Sequence, residues 1–373
     1  MPYFDSTATT KPSKEVLDIY TKASNEYWYN ISGQYRMSVM GSNLILKATS
    51  QVLNALNTTN KKIIFTSGAT EANNTAIYGI CEKYYGQNKH IITTSIEHPS
   101  VLNCFKDLES KGFEVTYLSV GKNGIIDLNE LKSAIKPNTV FISIMWVNNI
   151  VGTVLPIKEV INIVKENPRI KLHVDAVQGI GKINNDFSFN DIDLFTISSH
   201  KIHGLKGTGA LVLNNNIEIK PLVKGGHQQN NMRAGTVDLA GILAFTVALK
   251  NSIKEQRANY QYVNNLYSYL IDNLSKFDFI YLNINKESYS PYILSVTFKK
   301  IKAETVMHFL ESFDIFVGIG SACNEKTKVI EPVLKYMQDE KLSINTIRIS
   351  LSKDNTKEEL DLLISKIKEI GEK

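Results

Sequence analysis

Short runs of apolar and β-branched residues alternate with helix-forming segments from about residue 15 to residue 250. Each run has the length and composition of a strand, and the segments between the runs carry apolar residues at helical spacing. This alternation predicts a mostly parallel β-sheet that is covered by helices. The predicted strands span residues 62–65, 90–94, 140–145, 170–174, 194–197 and 210–213.

The pattern changes from about residue 251. A long helix with a polar face is predicted over residues 250–274, and it is followed by strands near 293–297 and 347–351 and by a terminal helix from Lys357. This pattern is typical of a smaller α+β domain. We predict a large domain of residues 15–256 and a small domain of residues 1–14 and 257–373.

Polar residues directly follow five of the apolar runs. They are Ser67-Gly68-Ala69-Thr70, Glu97-His98, Asn148-Asn149, Asp175 and Ser198-Ser199-His200-Lys201. In an open α/β sheet, ligands bind beyond the carboxyl ends of the strands. The sequence therefore predicts one site that is shared by these strand ends.

Composition and charge narrow the function classes. A chain of 373 residues with 43% hydrophobic residues is long enough to bury a sizeable core. Its net charge of +5 is spread along the chain without basic runs, which gives no support to nucleic-acid binding. Residues 1–10 lack a signal-peptide pattern and no apolar run reaches the roughly 18 residues of a membrane span, so we expect a cytoplasmic protein without membrane contact.

Three cysteines, Cys81, Cys104 and Cys323, form no C-x-x-C pair and no cluster with histidines. Neither a disulfide framework nor a metal site is therefore expected. Cys81 and Cys104 have apolar neighbours, which is typical of buried free cysteines. Cys323 lies among small and polar residues at about 317–330, a segment that we expect to be a loop, and nearby lysines such as Lys326 would favour its thiolate.

Lys201 and Asp175 each end an apolar run. A lysine at a strand end can form a Schiff base with an aldehyde if its pKa is lowered, although a surface lysine is the simpler interpretation. A carboxylate such as Asp175 can keep the pyridine nitrogen of pyridoxal phosphate (PLP) protonated, so that the ring acts as an electron sink. A helix N-cap is the alternative role of Asp175. Gln178, three residues later, could donate to the ring oxygen O3′.

Three further motifs each allow a functional and a structural interpretation. Residues 67–71 offer a phosphate the N–H groups and the positive dipole of a helix start, but they also resemble any helix N-terminus. His98 can stack on a planar cofactor and move protons near neutral pH, or it can be structural. Arg348 alternates with apolar residues, so its guanidinium meets either a bound carboxylate or an internal one.

The ordered set of motifs resembles the cysteine desulfurases, which belong to the class V aminotransferase group of fold-type I PLP enzymes. The resemblance covers nearly the whole chain, and the matching segments are 4–10, 65–71, 97–98, 147–149, 173–175, 198–201, 233–236, 320–323 and 347–351. It implies an α/β fold with a mostly parallel seven-stranded sheet between helices. It also implies a small α+β domain that carries the catalytic cysteine on the loop at about 317–330.

The resemblance implies catalytic roles for Lys201, which would hold PLP as a Schiff base, for His98, which would stack on the ring, and for Cys323. The implied cofactor contacts are Gly68, Ala69, Thr70, His98, Asn149, Asp175, Gln178, Ser198, His200, Lys201 and Thr236. No metal is implied.

Within this set, the resemblance divides the contacts by partner. The phosphate would be bound by Thr70, Ser198 and His200. Thr236 would reach the phosphate of the neighbouring subunit, so that the active sites require a homodimer. The substrate carboxylate would be bound by two residues, Asn149 and Arg348.

The implied reaction removes sulfur from L-cysteine. The Cys323 thiolate attacks the substrate sulfur, and the products are L-alanine and a persulfide on Cys323. A loop suits this residue because it must reach the substrate and later present the sulfur to an acceptor protein, for iron–sulfur cluster assembly or tRNA thiolation.

Some positions depart from the family pattern, and two other functions remain open. The departures are Ile150 in place of Glu, Ile31 and Tyr35 in place of Pro and His, Leu205 in place of Pro, and Gln229 in place of Glu. One alternative is a selenocysteine lyase or another class V aminotransferase-type enzyme, although a transaminase needs no loop thiol. The other is a divergent paralogue that mainly binds partner proteins.

Overall fold

Two β-sheets organise the computed structural model, which describes residues 1–87, 89–319, 331–338 and 340–372. The strands are β1 (Tyr3–Phe4), β2 (Lys61–Thr66), β3 (His90–Thr94), β4 (Glu114–Leu118), β5 (Thr139–Met145), β6 (Lys171–Asp175), β7 (Leu194–Ser198), β8 (Gly209–Asn214), β9 (Ile280–Asn283), β10 (Ile293–Phe298), β11 (Phe316–Ile319) and β12 (Thr346–Ser350).

The larger sheet has seven strands in the order β2-β8-β7-β6-β5-β3-β4. All neighbouring strands are parallel except at β8, which is antiparallel to both β2 and β7. Every residue of β3, β5 and β7 is buried, which explains why these strands read as continuous apolar runs. The predicted mostly parallel seven-stranded sheet is therefore confirmed.

Strand β4 was not among the predicted strands. It lies at the edge of the sheet beside β3, and only its last residue, Leu118, is fully buried. A half-exposed edge strand carries a weaker apolar signal than a central one.

Helices cover the larger sheet and complete the smaller one. They are α1 (Lys14–Glu26), α2 (Arg36–Ala55), α3 (Ala69–Cys81), α4 (Pro99–Ser110), α5 (Leu128–Ala134), α6 (Ile157–Lys165), α7 (Leu239–Leu274), α8 (Ala303–Glu311), α9 (Pro332–Met337), α10 (Glu340–Ser343) and α11 (Lys357–Gly371). None of the helices in the described part of the chain combines the length and the apolarity of a membrane span.

Helix α7 is longer than the predicted helix over 250–274. It begins at Leu239, after the N-cap Asp238, whose side chain accepts a hydrogen bond from the backbone of Gly241 at 2.9 Å. Its first turns are mostly buried, so they lack the polar face by which the later turns are recognised. The predicted boundary between residues 256 and 257 falls inside this helix, and the division into two domains stays a prediction.

The smaller sheet has the order β1-β11-β12-β10-β9. Strand β1 pairs in parallel with β11, which ties the first residues of the chain to its last third. Strand β12 pairs with both β10 and β11, and this pairing places Arg348 opposite Ser295 and Gly318. The amino-terminal segment then continues from β1 across to the larger sheet, where Thr10 donates a backbone hydrogen bond to the carbonyl of His200 at 2.8 Å.

Candidate active site

The carboxyl ends of β2, β3, β5, β6 and β7 open onto one cleft of about 430 Å³. The polar residues that follow these strands were predicted to share one site, because the carboxyl ends of parallel strands lie at the same edge of a sheet. The predicted residues that line the cleft are Gly68, Ala69, Thr70, His98, Asn149, Asp175, Gln178, His200, Lys201 and Arg348.

Asp175 is the last residue of β6 and is buried. Its Oδ2 accepts a hydrogen bond from Asn73 Nδ2 at 2.8 Å, and its Oδ1 accepts one from the backbone N–H of Val177 at 3.1 Å. A turn follows Asp175 instead of a helix, so the alternative role of helix N-cap does not apply. The two hydrogen bonds fix the carboxylate at the floor of the cleft.

His98 is the N-cap of α4, and its Nδ1 accepts a hydrogen bond from the backbone N–H of Ser100 at 3.1 Å. Because Nδ1 accepts, the proton of the neutral ring resides on Nε2. Burial lowers the pKa of His98; the Asp175 carboxylate opposes this effect and the charge of Lys201 adds to it. The ring is thus neutral near pH 7, with an N–H donor at Nε2.

A network of hydrogen bonds joins His98 to Asp175. Asn73 Nδ2 donates to the Asp175 carboxylate and also to Ser100 Oγ at 2.9 Å, and Ser100 Oγ lies 2.8 Å from His98 Nδ1. Side chains that share such a network hold one another in a single orientation. Asn73 and Ser100 were not predicted as site residues, because neither position stands out in the sequence of its helix.

The amino terminus of α3 offers an anion site. No side chain caps this helix, and Gly68 before it adopts a φ of 151°, a conformation that favours glycine. Gly209 packs closely here, since a Cβ on it would lie 2.8 Å from the Cα of Gly68. Glu71 lines the cleft but does not cap α3, because its carboxylate accepts from the backbone N–H of Ser67 at 2.8 Å and forms an ion pair with Arg233 at 2.8 Å. The N–H groups and the dipole of α3 therefore face the cleft as an anion-binding terminus.

Lys201 follows β7 in a short 3₁₀ turn, Ser199–Lys201. Its Nζ donates hydrogen bonds to the backbone carbonyls of Thr7 and Ala8, at 2.7 and 2.6 Å. Gln178 Nε2 donates to the same Thr7 carbonyl at 3.1 Å. The amino-terminal segment thus supplies the acceptors that orient both side chains, a contribution that was not predicted.

Arg348 is buried on β12 and forms an ion pair with Asp5, with 2.7 Å between Nη2 and Oδ1. Its Nη1 donates to the backbone carbonyl of Asn149 at 3.0 Å. Its Nε is buried without an acceptor among the described residues. Arg348 therefore meets an internal carboxylate, that of Asp5, and it also lines the cleft, where a bound carboxylate could reach it. The sequence offered these two interpretations as alternatives.

Comparison with known proteins identifies the family of this chain. The family model for aminotransferase class V matches residues 2–363. The chain belongs to this family. A cysteine desulfurase IscS of Methanosarcina thermophila is 37% identical over 100% of this chain and 92% of its own, and a cysteine desulfurase of Homo sapiens is 35% identical over 98% and 80%.

Solved structures lead to the same group of proteins. A NifS-like protein superimposes with a TM-score of 0.92 at 34% identity and covers 99% of this chain and 98% of its own. A structure described as SspA in complex with cysteine has a TM-score of 0.83 at 31% identity and covers 95% of this chain and 100% of its own. The predicted family, the α/β fold and the relationship to cysteine desulfurases, enzymes that generally depend on PLP, are therefore confirmed.

Two predicted site residues that the structure describes, Ser198 and Thr236, do not line the cleft. Ser198 ends β7 and its Oγ is buried without a partner among the described residues. Thr236 is exposed and lines a neighbouring cavity that shares Ser67 and Gly207 with the cleft. Cys323 and most of the predicted loop lie outside the described residues.

The departures from the family pattern have local explanations in two cases. Ile150 is buried in the main hydrophobic core, where a glutamate would need a counter-charge. Gln229 pairs with the backbone of Phe65 on the edge strand β2, accepting from its N–H at 2.8 Å and donating to its carbonyl at 2.9 Å. An ionised glutamate could accept but not donate here. Tyr35 is exposed, and its contacts give no reason for its presence.

Proposed function

We propose that this protein is a PLP-dependent cysteine desulfurase that converts L-cysteine to L-alanine and retains the sulfur on Cys323. The observation that carries the proposal is the cleft, which gathers Lys201, Asp175 and His98 at one edge of the larger sheet. Its relatives, a third or more identical over nearly the whole chain, include cysteine desulfurases.

The described residues fit PLP in charge and in hydrogen-bonding capacity. The uncapped terminus of α3 and the buried, unpaired Ser198 Oγ suit a phosphate. Burial, with the charge of Lys201 adding to its effect, lowers the pKa of His200 to about 4, so this ring is neutral and can donate one hydrogen bond. Asp175 supplies a carboxylate for the pyridine nitrogen. When bound, PLP supplies an electron sink that weakens bonds within an attached amino acid.

Lys201 and His98 are the residues that would move protons in this cleft. Lys201 Nζ would bind the cofactor covalently, and the Thr7 and Ala8 carbonyls hold the amine whenever it is released. His98 has its Nδ1 engaged by Ser100, which leaves Nε2 to hold a proton beside the bound ring.

Arg348 would bind the carboxylate of cysteine, together with the Asn149 side chain. The Asp5 ion pair and the Asn149 carbonyl already fix the plane of the guanidinium, so that its remaining N–H groups are oriented before substrate arrives. This arrangement supports an amino acid substrate in preference to an amine.

The sulfur would pass to Cys323. The thiolate forms an S–S bond with the substrate sulfur, the bond from that sulfur to Cβ breaks, and Cβ gains a proton to give alanine. A sulfur-acceptor protein would then take the sulfur for iron–sulfur cluster assembly or tRNA thiolation. The Cys81 and Cys104 thiols are unsuited to this role because both are buried, and burial raises the pKa of each, that of Cys104 to about 11.

A homodimer is part of the proposal. Helix α2 exposes several apolar side chains that a single chain leaves in solvent: Met37, Val39, Met40 and Leu46. Trp28, before this helix, is 81% exposed. Exposed apolar patches of this kind mark protein interfaces, and Thr236, which is also exposed, would serve the active site of the partner subunit.

The test is a cysteine turnover assay on purified, PLP-loaded protein. The wild type should show the visible absorbance of lysine-bound PLP and release equal amounts of alanine and, with a reductant, sulfide. Lys201→Ala should abolish turnover without unfolding the protein. A protein that stays colourless after PLP addition would disprove the cofactor assignment, and release of selenide alone, from selenocysteine, would favour the lyase alternative.

The nucleophile is tested separately. Cys323→Ser should release no sulfide while the PLP absorbance persists, and iodoacetamide should label Cys323 before Cys81 and Cys104. Equal sulfide release by the wild type and Cys323→Ser would show that another group accepts the sulfur.

A further inference from the structure

A second cavity, of about 100 Å³, shares Lys201 with the cleft. It is lined by residues of the amino-terminal segment, of the turn after β6, of α7 and of the segment that follows β12, and it has room for a few water molecules. The polar residues of this lining include Ser6 and Lys182. Lys182 has no part in the proposed mechanism.

Lys182 is buried, and its contacts are few. Its Nζ donates a hydrogen bond to Gln178 Oε1 at 2.8 Å and lies 5.9 Å from the ring centroid of Tyr292. Within the described parts of the chain, no carboxylate forms an ion pair with it. Burial lowers the pKa of Lys182 to about 7, and the positive charges of Lys201 and Arg348 add to the effect. A buried amine without an ion-pair partner destabilises the fold relative to an apolar side chain of similar size. The hydrogen bond from Lys182 to Gln178 therefore indicates a role for the amine other than stability.

This hydrogen bond fixes the orientation of the Gln178 amide. A charged lysine donates and does not accept, so while Lys182 is protonated the amide oxygen points to it and the amide NH₂ group points away, toward the Thr7 carbonyl. One hydrogen of that NH₂ group goes to the Thr7 carbonyl, which also accepts from Lys201. The other hydrogen is left for the cleft, which Gln178 lines.

Without Lys182 the Gln178 amide could rotate by 180°, so that its oxygen and its NH₂ group exchange places. The Gln178 oxygen would then compete with the Thr7 carbonyl for the Lys201 amine, and an acceptor would replace a donor on the cleft side. Bound PLP carries a phenolic oxygen on its ring, and an N–H donor near that oxygen stabilises its anionic form.

We propose that Lys182 is a positioning residue that acts through Gln178: it holds the amide NH₂ group toward the cleft, where this group donates to bound PLP beside Lys201. The inference rests on the proposed function, because it concerns PLP bound to Lys201. Lys182 lines the second cavity and Gln178 lines the cleft, so the hydrogen bond between them connects the two.

The experiment is a pH titration of the visible absorbance of the PLP-loaded, full-length protein. Lys182→Met should still bind PLP, but the apparent pKa of the absorbance should rise by about one unit, because the Gln178 donor to the phenolate is lost. The matched control is Lys61→Met. Lys61 is also a buried lysine with a pKa lowered by burial, to about 8, but it lies on β2, where it donates to Ile192 and Asn214.

Both substitutions change packing and the temperature of unfolding, but only Lys182→Met should move the absorbance titration. A titration that is unchanged in Lys182→Met would overturn the inference. So would an equal shift in Lys61→Met, because the effect would then be a general consequence of losing a buried charge.

Two further variants keep the inference testable if Lys182→Met fails to fold. Gln178→Glu keeps the acceptor for Lys182 and removes the NH₂ donor, so it should shift the titration in the same direction. Lys182→Leu, which has no donor, should shift the titration in the wild-type background but add no further shift in a Gln178→Ala background, since the two residues act as one unit. Additive shifts would show that Lys182 acts independently of Gln178. A wild type without visible absorbance would instead disprove the proposed function itself.

Discussion

The two sides of the cleft are built in different ways. On the side proposed to bind the cofactor, called the cofactor side below, Asp175, His98 and Lys201 come from the carboxyl ends of three strands of one sheet, β6, β3 and β7. On the side proposed to bind the substrate, called the substrate side below, Arg348 comes from the smaller sheet and is held by Asp5, 343 residues away in the sequence. One side depends on local strand-end geometry, whereas the other depends on where the two ends of the chain meet.

The electrostatic environments also differ. The cofactor side holds neutral rings, His98 and His200, whose pKa values are lowered chiefly by burial. The substrate side holds a preformed ion pair between Arg348 and Asp5. We infer that the cofactor side tolerates little change in polarity, whereas the substrate side can exchange one carboxylate contact for another.

Asp175→Asn should produce the largest change, because it removes the only carboxylate placed for the pyridine nitrogen among the described residues of the cleft floor. We expect alanine formation to fall by about 10²–10³-fold while PLP stays bound, since a buried electrostatic contact to the reacting group is lost. Alanine release and the visible absorbance measure the two quantities. Asp186→Asn, an exposed aspartate, is the control; a loss of less than threefold in Asp175→Asn would contradict the role.

Arg348→Lys should have the next largest effect. The lysine keeps a positive charge for Asp5 but loses the planar fork that binds a carboxylate through two hydrogen bonds. We expect kcat/KM for cysteine to fall by about 10- to 100-fold, mainly through KM. Arg169→Lys on the surface serves as the control. A fall in kcat with KM unchanged would place Arg348 outside the carboxylate site.

The same contrast explains what the sequence could predict. Buried parallel strands read as continuous apolar runs, so their ends and the polar residues that follow them could be located. This gave the larger sheet and the gathering of Asp175, His98 and Lys201 around one cleft. The position of Arg348 in a strand was also predictable from its apolar neighbours.

Contacts between distant segments could not be predicted. Nothing in the sequence near Asp5 indicates a partner in β12, and nothing near Thr7 and Ala8 indicates that their carbonyls accept from Lys201. Every residue has a backbone carbonyl, so residue type does not indicate which carbonyl will accept a side-chain hydrogen bond. Asn73 could not be predicted either. It lies within α3, and the apolar pattern of that helix indicates which face is buried but not that Asn73 contacts the Asp175 carboxylate.

Asp5→Asn tests whether the substrate side depends on this long-range contact. The amide keeps the size of the side chain but removes the charge that orients Arg348. We expect KM for cysteine to rise by about tenfold, because roughly one charge-assisted hydrogen bond is weakened, while kcat changes little. Binding of a non-reactive cysteine analogue, measured by the change in PLP absorbance, should weaken equally. If analogue affinity stays at the wild-type value, Asp5 serves only the fold.

Glu97→Gln is expected to have the smallest effect on cysteine turnover. It tests how completely water is excluded from the cofactor side. Glu97 is fully buried between β3 and α4, its Oε1 accepts from Thr94 and from the backbone of Met145, and its Oε2 has no partner among the described residues. Burial raises the pKa of this carboxyl to about 8, despite those two hydrogen bonds. The folded protein therefore keeps a proton on Glu97 at pH values where the unfolded chain has lost it. The resulting stabilisation is complete below pH 4.5 and is lost as the pH rises to about 8.

Glutamine is neutral at every pH, so Glu97→Gln should remove this pH dependence. Between pH 5 and pH 8, the free energy of unfolding should decrease less steeply in the variant than in the wild type, by about 1 kcal/mol per pH unit. Urea unfolding at several pH values measures the slopes, and Glu166→Gln, an exposed glutamate, should keep the wild-type slope. Parallel slopes in all three proteins would mean that Glu97 titrates as it does in water. The cofactor side would then be wetter than its burial indicates, and the contrast with the ion-paired substrate side would be smaller than we infer.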